Sequence, residues 1–179
     1  MAARLSGPRT LALVAALALV LGGCATGAHA PTYPPVGSTP QPAGDRTGAT
    51  RAAVVAALSA AGLQAGEPGQ PYQPQEGPWF AAAPRSTIQV TIPGEGTPRF
   101  VVLYAFDSPS DAAIAGADQA SYVARGPGAI YFPNDSRFTI RILGSTAVFF
   151  TWSPSNADPR TQEIETALDT IGTAIAIPR

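Results

Sequence analysis

The chain has 179 residues and a formal net charge of −1, and its eleven basic side chains are all arginine. With no basic stripe to follow a phosphate backbone, nucleic acid is excluded as a partner. Cys24 is the single cysteine and His29 the single histidine, so no disulfide forms within the chain and a zinc site lacks its ligands.

The first element is a short basic start, Arg4 and Arg9, followed by an apolar run from Leu11 to Leu21. About a dozen apolar residues fall short of the roughly 20 that a spanning helix needs. Small residues and a lone cysteine close the run as Leu21-Gly22-Gly23-Cys24. At these residues the chain resembles a bacterial lipoprotein precursor, although Gly22 stands where that pattern more often has Ala, Ser or Thr. The resemblance implies cleavage before Cys24 and a diacylglyceryl group, with palmitate-like chains, on its sulfur. The product would be tethered on the outer side of the cytoplasmic membrane or, in a host with two membranes, to the outer membrane, where Ala25 in place of aspartate directs it by default. An ordinary secretory signal has the same build and would be cut near Ala28-His29-Ala30.

Residues 24–47 follow as a linker rich in Pro, Gly, Thr and Ser, too poor in large apolar groups to fold alone. About 155 residues remain after cleavage, and 48–179 are expected to form one domain. Thr50 is positioned to cap a helix from Arg51 to Ala61, with Gly62 at a left-handed stop and Leu63 folding back on Leu58. Gln64 to Gly77, dense in Pro, Gly and Gln, reads as a long irregular stretch. Trp79 to Ala83 reads as a short strand. Thr87 to Ile92 alternates, with Ile88, Val90 and Ile92 on one side. Phe100 to Phe106 is apolar on both sides, which predicts a central strand covered on both faces.

Ser108-Pro109-Ser110-Asp111 starts a helix, since serine caps, proline fits the first position and a carboxylate follows three residues past the cap. It should run to about Ala124, with Ala113, Ala117, Ala120 and Ala124 as a close-packing stripe and Gly126 as its end. Ala129 to Phe132 reads as a short strand, and Asn134-Asp135 as a turn. Arg137 to Leu143 alternates, with Phe138, Ile140 and Ile142 inward and Arg137, Thr139 and Arg141 outward. Gly144-Ser145 makes a two-residue hairpin to Thr146–Trp152. Asp158-Pro159 starts a last helix, with Ile164, Leu168, Ile171 and Ile175 on its buried face.

The expected fold is therefore α+β, a two-layer arrangement of a mostly antiparallel sheet of five to six strands packed with about three helices. Over Arg51 to Ile175 the pattern is similar to small envelope lipoproteins of GC-rich bacteria, and that resemblance carries no activity with it.

Catalytic equipment is sparse. His29 lies in the linker, the chain has no lysine, and lipid would occupy the thiol of Cys24, so activated nucleophiles lack their usual base. Asp107 and Asp111 flank a helix start and read as capping charges. Asp111 and Asp118 share a helix face, and Glu163 and Glu165 point apart, so a carboxylate-based hydrolase is the weakest reading. Neither a phosphate loop nor a dinucleotide fingerprint is present, and no cofactor is expected. Aromatic residues in and beside the irregular stretch, Tyr72, Trp79 and Phe80, joined by Trp152, are the candidate binding residues. The reading is a non-enzymatic, lipid-anchored envelope protein that binds or scaffolds a partner. Its alternative is a small-molecule or glycan-binding lipoprotein that uses these aromatics.

Overall fold

The computed structural model describes residues 42–178. The expected signal peptide, Cys24 and the linker up to residue 41 lie outside the described residues. The α+β class is as expected. Strands β1 (Gln64–Gly66), β2 (Arg85–Thr91), β3 (Arg99–Ala105), β4 (Arg137–Leu143), β5 (Thr146–Trp152) and β6 (Thr173–Ala174) form one sheet. Its order is β1-β2-β3-β5-β4-β6 and every neighbouring pair is antiparallel.

Helices α1 (Gly48–Ala60), α2 (Pro78–Ala82), α3 (Pro109–Ala124) and α4 (Gln162–Asp169) divide between the two faces. The sheet is thus a middle layer, where one of two layers was expected. The cause is the double-sided apolar character of β3. On one face Val101 and Leu103 join Ile88, Val90, Val148 and Phe150 beneath α1 and α4. On the other, Val102 and Tyr104 join Phe149, Ile140 and Phe80 beneath α2 and α3. Fully burying a side chain of this size contributes about 1.5–3 kcal/mol, so β3 feeds two cores at once.

Local signals explain most boundaries. Ser108 Oγ accepts the backbone N–H of Asp111 at 3.1 Å and donates to its carboxylate at 2.7 Å, fixing the start of α3. Gly62 has φ +75°. Leu63 N–H bonds the Leu58 carbonyl and Gly62 N–H that of Ser59, both at 3.0 Å, which is the double closure of a Schellman ending. Gly144 takes φ +56° between β4 and β5, as a primed hairpin turn requires.

Several elements differ from expectation. The fold begins before Gly48. Gly44–Thr47 is a 3-10 turn, Ala43 and Thr47 are buried, and Ala43 N–H bonds the Arg85 carbonyl. Helix α1 consequently starts at Gly48, and Thr50 is a buried first-turn residue rather than its cap. Residues 64–66 of the irregular stretch are an edge strand beside β2. Trp79–Ala83 is not a strand; Pro78 opens a one-turn helix, and the anchoring of Phe80 in the core fixes it. Ala129–Phe132 is likewise not a strand, because Pro127–Tyr131 turns as a 3-10 helix where Gly128 lies against the Tyr122 ring.

The buried stripe of α3 is Ala112, Ala115, Gly116, Gln119, Ala120 and Val123, so of the expected alanines only Ala120 is on it. Gly116 sets this phase, since a Cβ there would lie 3.1 Å from both Ile142 and Ile175. Arg137 is exposed as expected, but Thr139 and Arg141 face the α4 side instead of solvent: Thr139 is buried, and Arg141 donates to the carbonyls of Asp169, Ile171 and Gly172. Helix α4 stops at Asp169. Gly172 (φ +57°) reverses the chain into β6, and Ile175 packs in the opposite core rather than on the helix.

Candidate functional site

The four aromatic candidates do not form one site. Phe80 is fully buried, stacked on Tyr104 with ring centroids 4.2 Å apart and edge-on to Phe149 at 6.1 Å. It pins α2 to the sheet and is not available to a ligand. Its neighbour Trp79 is 37 % exposed. It stands beside Arg46, Phe106 and Asp107 in an open hollow of about 250 Å³. Tyr72, Phe100 and Phe132 line one open groove of about 370 Å³ where β3 begins and β5 ends; Trp152 borders it, but its ring is packed in the core on the α1–α4 side of the sheet.

Residues 67–77 cross the sheet as a strap without secondary structure of its own. They cover the face on which Thr87 and Gln89 flank the apolar centre. Gln89 Oε1 accepts Gly69 N–H at 3.2 Å, and Tyr72 stacks on Phe100 with centroids 4.4 Å apart and planes 17° from parallel. The far end is held by charge. The Glu76 side chain is 2 % exposed, and its Oε1 accepts from Arg85 at 2.6 Å and from the Tyr104 hydroxyl at 2.5 Å. Gln119, fully buried on α3, accepts Gly77 N–H at 2.6 Å and donates to the Gln75 carbonyl at 3.1 Å. A desolvated carboxylate survives only when paired and hydrogen-bonded, and both conditions hold here.

The surrounding ionisations follow. Burial, reinforced by the negative charge of Glu76, pushes the Tyr104 phenol well above its ordinary value and the Tyr72 phenol in the same direction. Asp118, whose Oδ2 is buried without a hydrogen-bond partner, is raised by desolvation. Sequence reasoning missed Glu76, Arg85, Tyr104 and Gln119. One signal was present: Tyr104 brings the lone hydroxyl into Phe100–Phe106, and a buried tyrosine hydroxyl calls for a partner.

Apart from Asp118, the carboxylates considered for chemistry are committed elsewhere. Asp107 pairs with Arg46 at 2.7 Å, Asp111 takes the Ser108 hydroxyl, and Glu163 pairs with Arg160 at 3.0 Å. Glu165 accepts from the Trp152 indole at 3.1 Å. Asp135 accepts from the Ser153 hydroxyl at 2.6 Å and from Ser155 N–H at 2.7 Å, and these bonds, that of Ser153 foremost, lower its pKa. Among the described residues no group of three or more His, Cys, Asp or Glu is placed to hold a metal ion.

The fold also leaves large apolar side chains in solvent. Ile130 is 81 % exposed, Tyr131 60 % and Ile114 55 %. With Trp79 they all belong to the α2–α3 layer and the 3-10 turn that follows α3. Exposed positions on the opposite layer are small or polar: Ala52, Ala56 and Ser59 on α1, Gln162, Thr166 and Asp169 on α4. Comparison with protein-family models, with curated proteins and with solved structures yields no match to this chain.

Proposed function

We propose that the chain is a lipid-anchored protein of the cell envelope whose domain binds or scaffolds a partner protein and catalyses no reaction. The anchor rests on the sequence Leu21-Gly22-Gly23-Cys24 behind its apolar run. Two or more acyl chains hold a protein stably on a bilayer. The binding role rests on one observation, the one-sided exposure of Trp79, Ile114, Ile130 and Tyr131. Large exposed apolar and aromatic groups gathered on one layer mark a contact surface, because leaving them in water forfeits the burial free energy that a partner restores.

The test is photo-crosslinking in the native envelope. A photoreactive residue at Tyr131 should give a discrete crosslinked product that Ile114→Asp weakens, while the same residue at Ser59 on α1 gives none. Equal labelling from both positions, or none from Tyr131, rejects the contact face. The anchor is read separately: Cys24→Ser should move the protein from the membrane to the soluble fraction.

A further inference from the structure

The geometry points to the groove lined by Tyr72, Phe100 and Phe132 as a binding site for a neutral carbohydrate chain. Its walls are aromatic. Tyr72 lies on Phe100, and Phe132 stands edge-on to Phe138 with centroids 4.8 Å apart. Trp152 closes one end, its ring turned into the core on the α1–α4 side with Arg137 over it at 5.4 Å and its indole N–H bonded to Glu165. Between the walls stand Ser136, Thr151 and Asn156, whose side chains make no hydrogen bond among the described residues.

Every charge near the groove already has a partner. Arg99 lies 3.6 Å from Glu95 and donates to Thr161 at 3.4 Å. Arg137 lies 3.9 Å from Glu165, and Asp135 accepts from Ser153 and Ser155. The groove therefore offers apolar surface and uncommitted neutral hydrogen-bonding groups, with no free charge.

Ligand classes separate on these terms. A phosphorylated ligand would have to compete with Glu95 and Glu165 for Arg99 and Arg137, which are already paired. An acyl chain would leave Ser136, Thr151 and Asn156 desolvated and unpaired. A peptide added as a strand needs a free sheet edge, yet β3 lies between β2 and β5, and β5 between β3 and β4. A sugar ring carries an apolar C–H face and a rim of hydroxyls, which matches the lining. At about 370 Å³ the groove is within the roughly 300–1,000 Å³ typical of small-ligand sites. Because it is open, it suits a segment of a longer glycan.

The test uses the full chain with Cys24→Ser, with binding read by isothermal titration calorimetry. Uncharged oligomers of glucose, N-acetylglucosamine and xylose are titrated in turn, with a proline-rich peptide as a competing class. Saturable binding of at least one sugar, weakened fivefold or more by Asn156→Ala and by Phe132→Ala at unchanged melting temperature, is expected. Ser59→Ala on the exposed side of α1 should leave it unaltered. The assignment is overturned if no sugar in the panel binds, if binding ignores Asn156→Ala, or if only the peptide binds.

Discussion

Neutralising Glu76 strands the charge of Arg85, because the two side chains are 2 % and 12 % exposed and share no bulk water. Breaking one member of a buried pair costs about 3–5 kcal/mol, whereas replacing both with apolar groups is often close to neutral. Glu76→Leu should therefore lower stability by about 3 kcal/mol, as should Arg85→Met, and the two together by clearly less. Urea denaturation of the four-member cycle measures this. Equal losses in the single and double variants would mean that the pair is solvated and that Tyr104 and Gln119 hold the strap without it. The same residues show where a sequence stops speaking. The Ser108 cap and the Gly62 stop were legible because each acts within one turn of chain. Glu76 was not: its burial depends on partners 9 and 28 positions away, and nothing in Gln73-Pro74-Gln75-Glu76 separates it from a solvated loop carboxylate.

At the scale of elements, length decided what could be read. Strands β2 to β5 each run for seven residues, enough for a pattern to show: β2 and β4 were placed by alternation, β3 by its double-sided apolar run, and β5 as the hairpin partner of β4. The five-residue α2, the three-residue β1 and the two-residue β6 each span less than two repeats of their period, too few to reveal them. Tertiary contacts define them instead, as Phe80 does for α2. The 3-10 turn at Gly44–Thr47 is of the same kind, hidden inside a proline-rich stretch that composition alone marks as linker. Its buried Ala43 and Thr47, its bond to Arg85 and its Arg46–Asp107 pair belong to the domain. A chain beginning at Gly48 should thus be less stable by about 2 kcal/mol than one beginning at Pro42, from one lost hydrogen bond and the apolar burial around it. Melting the two truncations side by side checks it, and coincident curves would return residues 42–47 to the linker. The candidate site was half legible by the same logic. Aromatic residues stand out in a sequence, but only the antiparallel pairing of β3 with β5 brings the Phe100 end of one beside the Trp152 end of the other.

For the molecule as a whole, the position of β3 governs the order in which the structure opens. Local opening is cheap where few apolar contacts are buried and where one side of a strand lacks a partner; it approaches the full unfolding free energy where both faces and both edges are covered. Strand β3 has β2 and β5 as neighbours and places Val101 and Leu103 in one core, Val102 and Tyr104 in the other, each at most 1 % exposed. No subset of helices can detach and free it, since α1 with α4 and α2 with α3 hold it from opposite sides. Strands β1 and β6 form the two margins of the sheet, and β6 is exposed along its length. Native-state hydrogen exchange should accordingly find the slowest amides at Val101–Tyr104 and in the facing residues Ala147–Phe149 of β5, and rapid exchange in β6. Glu76→Gln should speed exchange around Gly77 before it affects β3, because the strap lies outside both cores. Uniform exchange across the sheet would mean that the molecule opens only globally, and that the two cores joined through β3 behave as one cooperative unit with the strap included.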